Sequence, residues 1–575
     1  MSVILKKVER PRELKWYQAG AMLYGDWGTS KAYVLGIAFA LAGHASWFFL
    51  GLMSALTALV GCCYMVICRA YPDGGGVYSS VKHRSQLLAV IGAFLLIADY
   101  VVTASLSALD AFHYFNFPHP EVWAIFAILV IGTINWVGPS KGGSIASVIA
   151  IFASVAAAIL FLATLPSLPH VELRWPTGGG LKNWTTFVGI VLALSGVEAV
   201  ANMTGIMVEP VEKTSKRAIW PVLLEVSVLT FLLGIAMNAI PGLTDHTGDM
   251  LRALADYYIA PWYGSLISIL FGFLLLSAVN TAITDLVSIQ FLMAKDRELP
   301  PAFARLNRFG MPALALIVAT LVPALVLMVE HDLVRLAALY AIGVVGAIAL
   351  NLGSCATNFG LVLKKKERTL LFVGAAILLL IELTIAFEKH AALLFALTVL
   401  GTGLVLRFMA KRFIVIPVPG LVPTATVLTV SEAKEIAPLY KSSCLVALRS
   451  INPYLLEEAA FRVKALGENS VYLNYVEESP PSPELPTEIE PSAQSLELLA
   501  KAEQEFEKRG ITAIPVWQLG KEPGKLIAMA AKELGVNTVM IGTTRRTALM
   551  NLLRGDVLRT LARQLPQECH LVISG

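Results

Sequence analysis

From residue 16 to about residue 409 the chain is a succession of apolar runs separated by short polar loops. A helix rises about 1.5 Å per residue, so about 20 apolar residues cross the roughly 30 Å of a bilayer core. Runs of that kind fall at 16–42, 46–70, 86–115, 121–139, 142–167, 184–208, 216–240, 262–293, 311–330, 333–358, 368–387 and 391–409. Twelve transmembrane helices are expected, because in lipid each segment must satisfy its own backbone hydrogen bonds. The composition agrees: 56% of the 575 residues are hydrophobic and 15% charged, where soluble domains carry about 25%. Mean hydropathy is +0.68. The excess stops near residue 412. The reading is a membrane domain over 1–412, a linker over 413–439 and a soluble-type domain over 440–575.

Lys and Arg alternate from loop to loop. One set of loops holds Lys6, Lys7, Arg10, Arg12 and Lys15, then Arg69, Lys82 and Arg84, then Lys213, Lys216 and Arg217. It continues with Lys295, Arg297, Arg305 and Arg308, then Lys364, Lys365, Lys366 and Arg368, whereas AGHASW, HYFNFPHPEV and VEHDLV are poor in both. The positive-inside rule puts both termini in the cytoplasm of a multi-pass protein, and the expected location is the prokaryotic inner membrane. The opening MSVILKKVERPRELKWYQ has no short apolar region ending at small residues, so no cleaved signal peptide is expected. The six cysteines show neither zinc nor redox spacing and read as buried hydrophobes.

Two runs carry polar residues at their centres. The first holds YGDWGTS, with Gly25, Asp26 and Gly28; the sixth holds LSGVEAVAN, with Ser195, Gly196, Glu198 and Asn202. First and sixth are matching places in two five-helix halves, the pattern of an inverted-repeat transporter whose substrate meets broken helices. The alternative for the glycines is close helix packing.

RAYPDGGGVYSSVKH, LSGVEAVANMTGIMVEPVEKTSKRA and FLMAKDRELPPAFARLNRFGMP resemble elements of the amino acid–polyamine–organocation superfamily over about residues 15–410. That resemblance implies a LeuT-like fold of five plus five inverted helices, with two more to make twelve. YGDWGTSKAY resembles the YGDxGTSPLY signature of the KUP family of proton-coupled potassium permeases, with Lys31 where that family has proline. The resemblance implies that Asp26, Tyr33, Thr103, Ser107, Ser195 and Tyr340 coordinate potassium, with Thr204 a spare.

Charge and spacing suit a cation. A fixed carboxylate at Asp26 repels another carboxylate by several kcal/mol at low dielectric, on the order of magnitude of the Coulomb estimate, and attracts a hard cation that wants oxygen ligands. Asp26 and Tyr33 are seven apart, two turns if helical, and Thr103 and Ser107 are four apart on one stripe. The competing reading of each hydroxyl is a back-bond to its own helix. Ionisable residues within the runs are Asp26, Lys31, Asp99, Asp110, Glu198, Glu225, Asp285 and Glu382, costly there unless paired or functional. Glu198 is the first candidate for proton coupling, then Asp26, with Asp285 behind. Asp99 and Asp110 fall near a helix end or pair internally, and Glu382 lies at an interface. Lys31 pairs with Asp26, snorkels outward, or serves as a tethered cation whose proton can leave.

After residue 440, apolar strand-like runs at 443–448, 470–475, 511–517, 537–543 and 569–573 alternate with helical periods at 453–466, 494–509, 523–534 and 547–564. A βαβ order repeated this way implies a doubly wound parallel sheet, interrupted by the loop PPSPELPTEIEPS at 480–492. The segment resembles a universal stress protein domain. The phosphate-loop spacing of those that bind ATP survives at Gly542, Arg545, Gly555 and Asp556, but Arg545 replaces a glycine and Asp556 a hydroxyl. Backbone N–H groups there would cradle phosphate and an aspartate repels it, so a regulatory or dimerisation role is favoured over ATP binding. Related potassium importers imply a homodimer and a cyclic di-AMP response.

The expectation is a secondary transporter, not an enzyme, that imports potassium with protons by alternating access and needs no resident cofactor. Its partners are potassium ions, protons and lipid, with no nucleic acid. The alternatives are a proton-coupled amino acid or amine permease, and a membrane solute sensor.

Overall fold

A computed structural model describes residues 8–9, 12–137, 142–240, 242–307, 309–413, 427–440, 442–477, 488–489, 491–520, 522–543 and 556–574. After a two-residue strand β1 (Val8–Glu9) the membrane part is helical. Its helices are α1 (Trp16–Trp27), α2 (Ser30–Ala42), α3 (Ser46–Ala70), α4 (Val77–Lys82), α5 (Gln86–Tyr114), α6 (Pro120–Trp136), α7 (Gly142–Thr164) and α8 (Gly180–Gly189). There follow α9 (Ala199–Asn202), α10 (Val211–Ala236), α11 (Met250–Tyr258), α12 (Pro261–Lys295), α13 (Ala313–Val329), α14 (Leu333–Thr357), α15 (Lys365–Glu388) and α16 (His390–Phe413).

Starts are set by capping chemistry. Ser85 accepts from the Leu88 N–H at 3.4 Å to open α5, and Asp332 accepts from Arg335 at 2.9 Å to open α14. Proline at the first turn of α6 and α12 costs no hydrogen bond. The spans differ sharply in burial: α5 and α14 are mostly inside the bundle, while α15 and α16 present most of their surface outward. In lipid an outward apolar face is already satisfied, so α5 and α14 are the axis around which the polar groups gather.

Among the described residues, eight stretches are long and apolar enough to cross a membrane, nine when the bent pair Gly180–Gly189 and Val191–Ile206 is taken as one. The expected twelve are redistributed. Runs one and two are contiguous over Trp16–Ala70 but are divided by the turn at Gly43 (φ +54°) between α2 and α3. Runs four and nine are helices of 17 residues, about 26 Å at the usual rise.

The C-terminal part adds α17 (Val430–Ile436), β2 (Cys444–Leu448), α18 (Pro453–Ala465), β3 (Ser470–Glu477), β4 (Glu488–Ile489), α19 (Ala493–Glu507) and β5 (Thr512–Leu519). Then come α20 (Pro523–Leu534), β6 (Thr538–Gly542), α21 (Val557–Gln564) and β7 (His570–Ser574). The sheet is parallel throughout, in the order β5-β3-β2-β6-β7. Its two faces bury separate apolar layers, as a doubly wound sheet must. Among the described residues this part meets the rest of the chain where Phe291 of α12 is buried in one of those layers, with Ala304 and Leu306 packed against it, and where β1 pairs antiparallel with β4. Of the proline-rich loop, 478–487 and 490 lie outside the described residues, as does 547–555 of the last helical period.

Candidate functional site

The sixth run breaks at a place its sequence permits. After α8 come a 3-10 turn at Val191–Leu194, an extended Ser195 (φ −58°, ψ 144°), and Gly196 at φ +92°. Only glycine takes that last conformation without strain. The first run is interrupted far less. Gly28 and Thr29 keep right-handed angles, and the Gly28 N–H still reaches the Tyr24 carbonyl at 2.9 Å. The expected unwinding at Gly25 and Gly28 is therefore corrected: Gly25 sits inside α1 and Gly28 caps it, because right-handed torsions at both ends carry the ladder across. The Thr29 hydroxyl back-bonds to the Asp26 carbonyl.

Gly196 packs on the backbone of Asp26 and Trp27, so the two interruptions meet. Asp26 is 6% exposed, and among the described residues its carboxylate makes no hydrogen bond or ion pair. Beside it, a Cβ built on buried Gly25 would meet nothing within 4 Å. An acid without a donor thus borders open interior space.

Around Asp26 the structure gathers most of the anticipated oxygens. The Tyr340 hydroxyl from α14 donates to Ser195 Oγ, and the Tyr340 side chain also interacts with Tyr33 and Thr103. Tyr33 lies within range of Asp26, Asp99 and Asp110. Thr103 Oγ1 back-bonds to the Asp99 carbonyl at 2.9 Å, the alternative anticipated for such hydroxyls. Ser107 is buried one turn further along the same stripe and joins none of these hydrogen bonds. Thr204 lies elsewhere, bonded to the carbonyls of Tyr71 and Ala201, each at 2.9 Å.

Lys31 does not pair with Asp26, and it does not snorkel. It is fully buried and held by both carboxylate oxygens of Glu225 on α10, with the Tyr24 hydroxyl accepting from its ammonium at 2.9 Å. Tyr24 donates in turn to Glu225 at 3.0 Å. The reason is geometric: Lys31 and Asp26 are five residues apart and diverge around a helix, whereas α10 lies directly alongside α1. Glu198 is 2% exposed, and its Oε1 accepts from the Gly196 N–H at 3.4 Å.

The sequence expectation for Asp99 is a place near a helix end or an internal pairing. Instead it is fully buried, and neither carboxyl oxygen has a partner among the described residues. It lies within range of Glu198, Asp26 and Asp285. Asp110 is equally buried and equally unpaired among them. The missed signal was spacing: Asp99, Thr103 and Ser107 recur every four residues, which puts Asp99 on the stripe already chosen.

In the C-terminal part, Gly542 ends β6 and pairs with Ser574 of β7. Asp556 spends its carboxylate capping α21, accepting from Arg559 at 3.1 Å. Arg545 and Gly555 lie outside the described residues.

A family model described as amino acid permease matches residues 14–430, and one described as universal stress protein family matches residues 444–572. No curated protein matches the chain.

Proposed function

The chain belongs to the amino acid permease family, and on that premise we propose that it carries an amino acid or amine across a cell membrane with protons, by alternating access. What carries this reading is Asp26: a buried carboxylate with no hydrogen-bond donor among the described residues, beside open space at the meeting of two interrupted helices. An uncompensated charge there is costly, and a substrate ammonium would relieve it. Tyr33, Thr103, Ser195 and Tyr340 supply further oxygens for that ammonium or for the rest of the solute. Glu198 and Asp26 are the carboxyls proposed to exchange the coupled proton. Both termini are proposed to be cytoplasmic, with the C-terminal domain regulating transport, by nucleotide or by dimerisation.

Reconstitution tests it. Proteoliposomes holding the full chain should accumulate a labelled amino acid or amine under an inward proton gradient, and Asp26→Asn should lose uptake. Full uptake by Asp26→Asn sinks the site assignment.

A second reading, potassium import with protons, is favoured by one observation: the hydroxyls of Tyr33, Thr103, Ser195 and Tyr340 gathered near Asp26 are hard oxygens. Growth rescue of a potassium-uptake-deficient bacterium at limiting potassium would select it. Failure to rescue, with uptake of an amine or amino acid, leaves the first reading in place. A sensor that moves nothing fails if either solute accumulates.

A further inference from the structure

Three stretches of chain converge on one guanidinium: the residues before α1, the connection from α3 to α4, and the end of the sixth run. Arg12 Nη1 donates to the carbonyls of Pro72 at 3.1 Å and Thr204 at 3.2 Å, and Nη2 donates to Asp73 Oδ1. Glu209 lies 3.6 Å from Nε. The backbone beside Arg12 joins the same partners: the Leu14 N–H donates to Ile206 at 2.9 Å, and the Val208 N–H donates to Leu14 at 3.0 Å. The α3–α4 connection is fastened to this end as well. The Gly75 N–H donates to the Ala201 carbonyl at 2.9 Å, and a Cβ on Gly76 would run into the Asn202 side chain.

The first and sixth runs are thus joined twice, at Gly196 against Asp26 and Trp27, and at Leu14 against Ile206–Val208. About 15 Å of α1 separates Trp16 from Asp26. The second joint faces the C-terminal domain. β1 pairs with β4, and Glu9 precedes Arg12 by three residues, a reach of at most about 11 Å. β4 ends three residues before Ser492, whose N–H donates to Glu477 at the end of β3 at 3.2 Å. A displacement of that domain is handed to Arg12 through two short lengths of chain.

We propose that Arg12 is the latch that closes the site toward the C-terminal domain, and that the β1–β4 pair puts the latch under that domain's control. This goes beyond the permease reading and rests on it only for the location of the site at Asp26.

Opening that side means parting the first run from the sixth, since the two meet at Asp26 and again at the latch. The acids around Arg12 do little to resist it. The side chains of Asp73 and Glu209 are 66% and 73% exposed, where ion pairs add little. The hold comes from the carbonyls of Pro72 and Thr204, because a bond from a charged donor is stronger than a neutral one. A guanidinium presents several donors in a rigid fork, which lets one side chain pin three stretches of backbone together.

The experiment reads access to the site and needs no knowledge of the solute. Gly25→Cys places a reporter thiol beside Asp26, where a Cβ meets nothing within 4 Å. The full chain is held in sealed membrane vesicles, with the C-terminal domain outside or inside as protease digestion establishes. The thiol is labelled with trimethylammonioethyl methanethiosulfonate, which does not cross the membrane, and the rate for the chain without the reporter is subtracted. With the domain outside, R12A added to the reporter should raise the labelling rate at least about fivefold. E488P/I489P strips β4 of both N–H groups and spares the five-stranded sheet, of which β4 is no part. It should raise the rate about threefold. With the domain inside, neither variant should raise it. Gel filtration in detergent confirms that each variant is folded.

Labelling of folded R12A at the rate of the parent overturns the latch. Faster labelling from both sides overturns it too, since that marks a general loosening. A raised rate in R12A with no change in E488P/I489P overturns the control by the C-terminal domain. A thiol silent from both sides in every variant overturns the inference together with the location of the site. Labelling as expected, beside no uptake of any solute, upholds the latch and defeats the permease reading.

Discussion

A Cβ on Gly196 would lie 2.6 Å from the backbone nitrogen of Trp27, closer than any side chain tolerates. The same glycine stands at φ +92°. Gly196→Ala therefore incurs a backbone strain of about 1–3 kcal/mol, and it also pushes apart the two interruptions that form the site. The expected outcome is a melting temperature several degrees lower in detergent, with uptake reduced at least tenfold. Wild-type uptake in this variant would mean that the contact between the breaks is incidental.

Gly25 separates space from torsion. It lies in α1 with nothing within 4 Å of its missing Cβ, so Gly25→Ala should fold at least as well as wild type, gaining up to about 1 kcal/mol of helix propensity. Gly25→Leu adds three more carbons to the space beside Asp26. It should remain folded by gel filtration yet lose most substrate uptake. Unaffected uptake would place the substrate elsewhere.

The Tyr340–Ser195 hydrogen bond joins α14 to the sixth-run break. Tyr340→Phe and Ser195→Ala should each weaken substrate affinity, by about 1 kcal/mol or roughly fivefold in KM. The double variant should be little worse than either alone, since both remove the same bond. Fully additive losses in KM would show that the two residues act separately.

Cys444 tests the C-terminal sheet. It begins β2, and burial pushes its thiol up to about 12. An acid whose pKa is raised stays protonated at every pH below that value, so at pH 8 only about one molecule in ten thousand is thiolate. Alkylation of Cys444 by iodoacetamide should be about a thousandfold slower in the folded chain than in urea. Comparable rates would mean that β2 is not buried as described.

Much of the architecture was legible in one dimension. Hydrophobic run length marked the spans, and the alternation of strand-like and helical periods after residue 440 gave a parallel sheet whose strands start and stop within a residue or two of expectation. Both signals are local, fixed by the period of the backbone itself. The polar interruptions were local too, but their depth was not. YGDWGTS and LSGVEAVAN look equally disruptive, yet Gly28 and Thr29 stay right-handed while Gly196 does not. Glycine permits an unwound turn without demanding one, and packing decides.

The amino-acid sequence determined that this chain would enter a membrane, that its sixth run could break at Gly196, and that acids would outnumber bases in its interior. Those follow from apolar length, from the torsions open to a residue without a Cβ, and from simple counting. Only the tertiary structure decided which acid takes Lys31. Glu225 lies 194 residues from Lys31, against five for Asp26, and it wins because α10 packs beside α1 and α2. Electrostatic pairing acts through space, and which helices become neighbours is settled by the whole bundle.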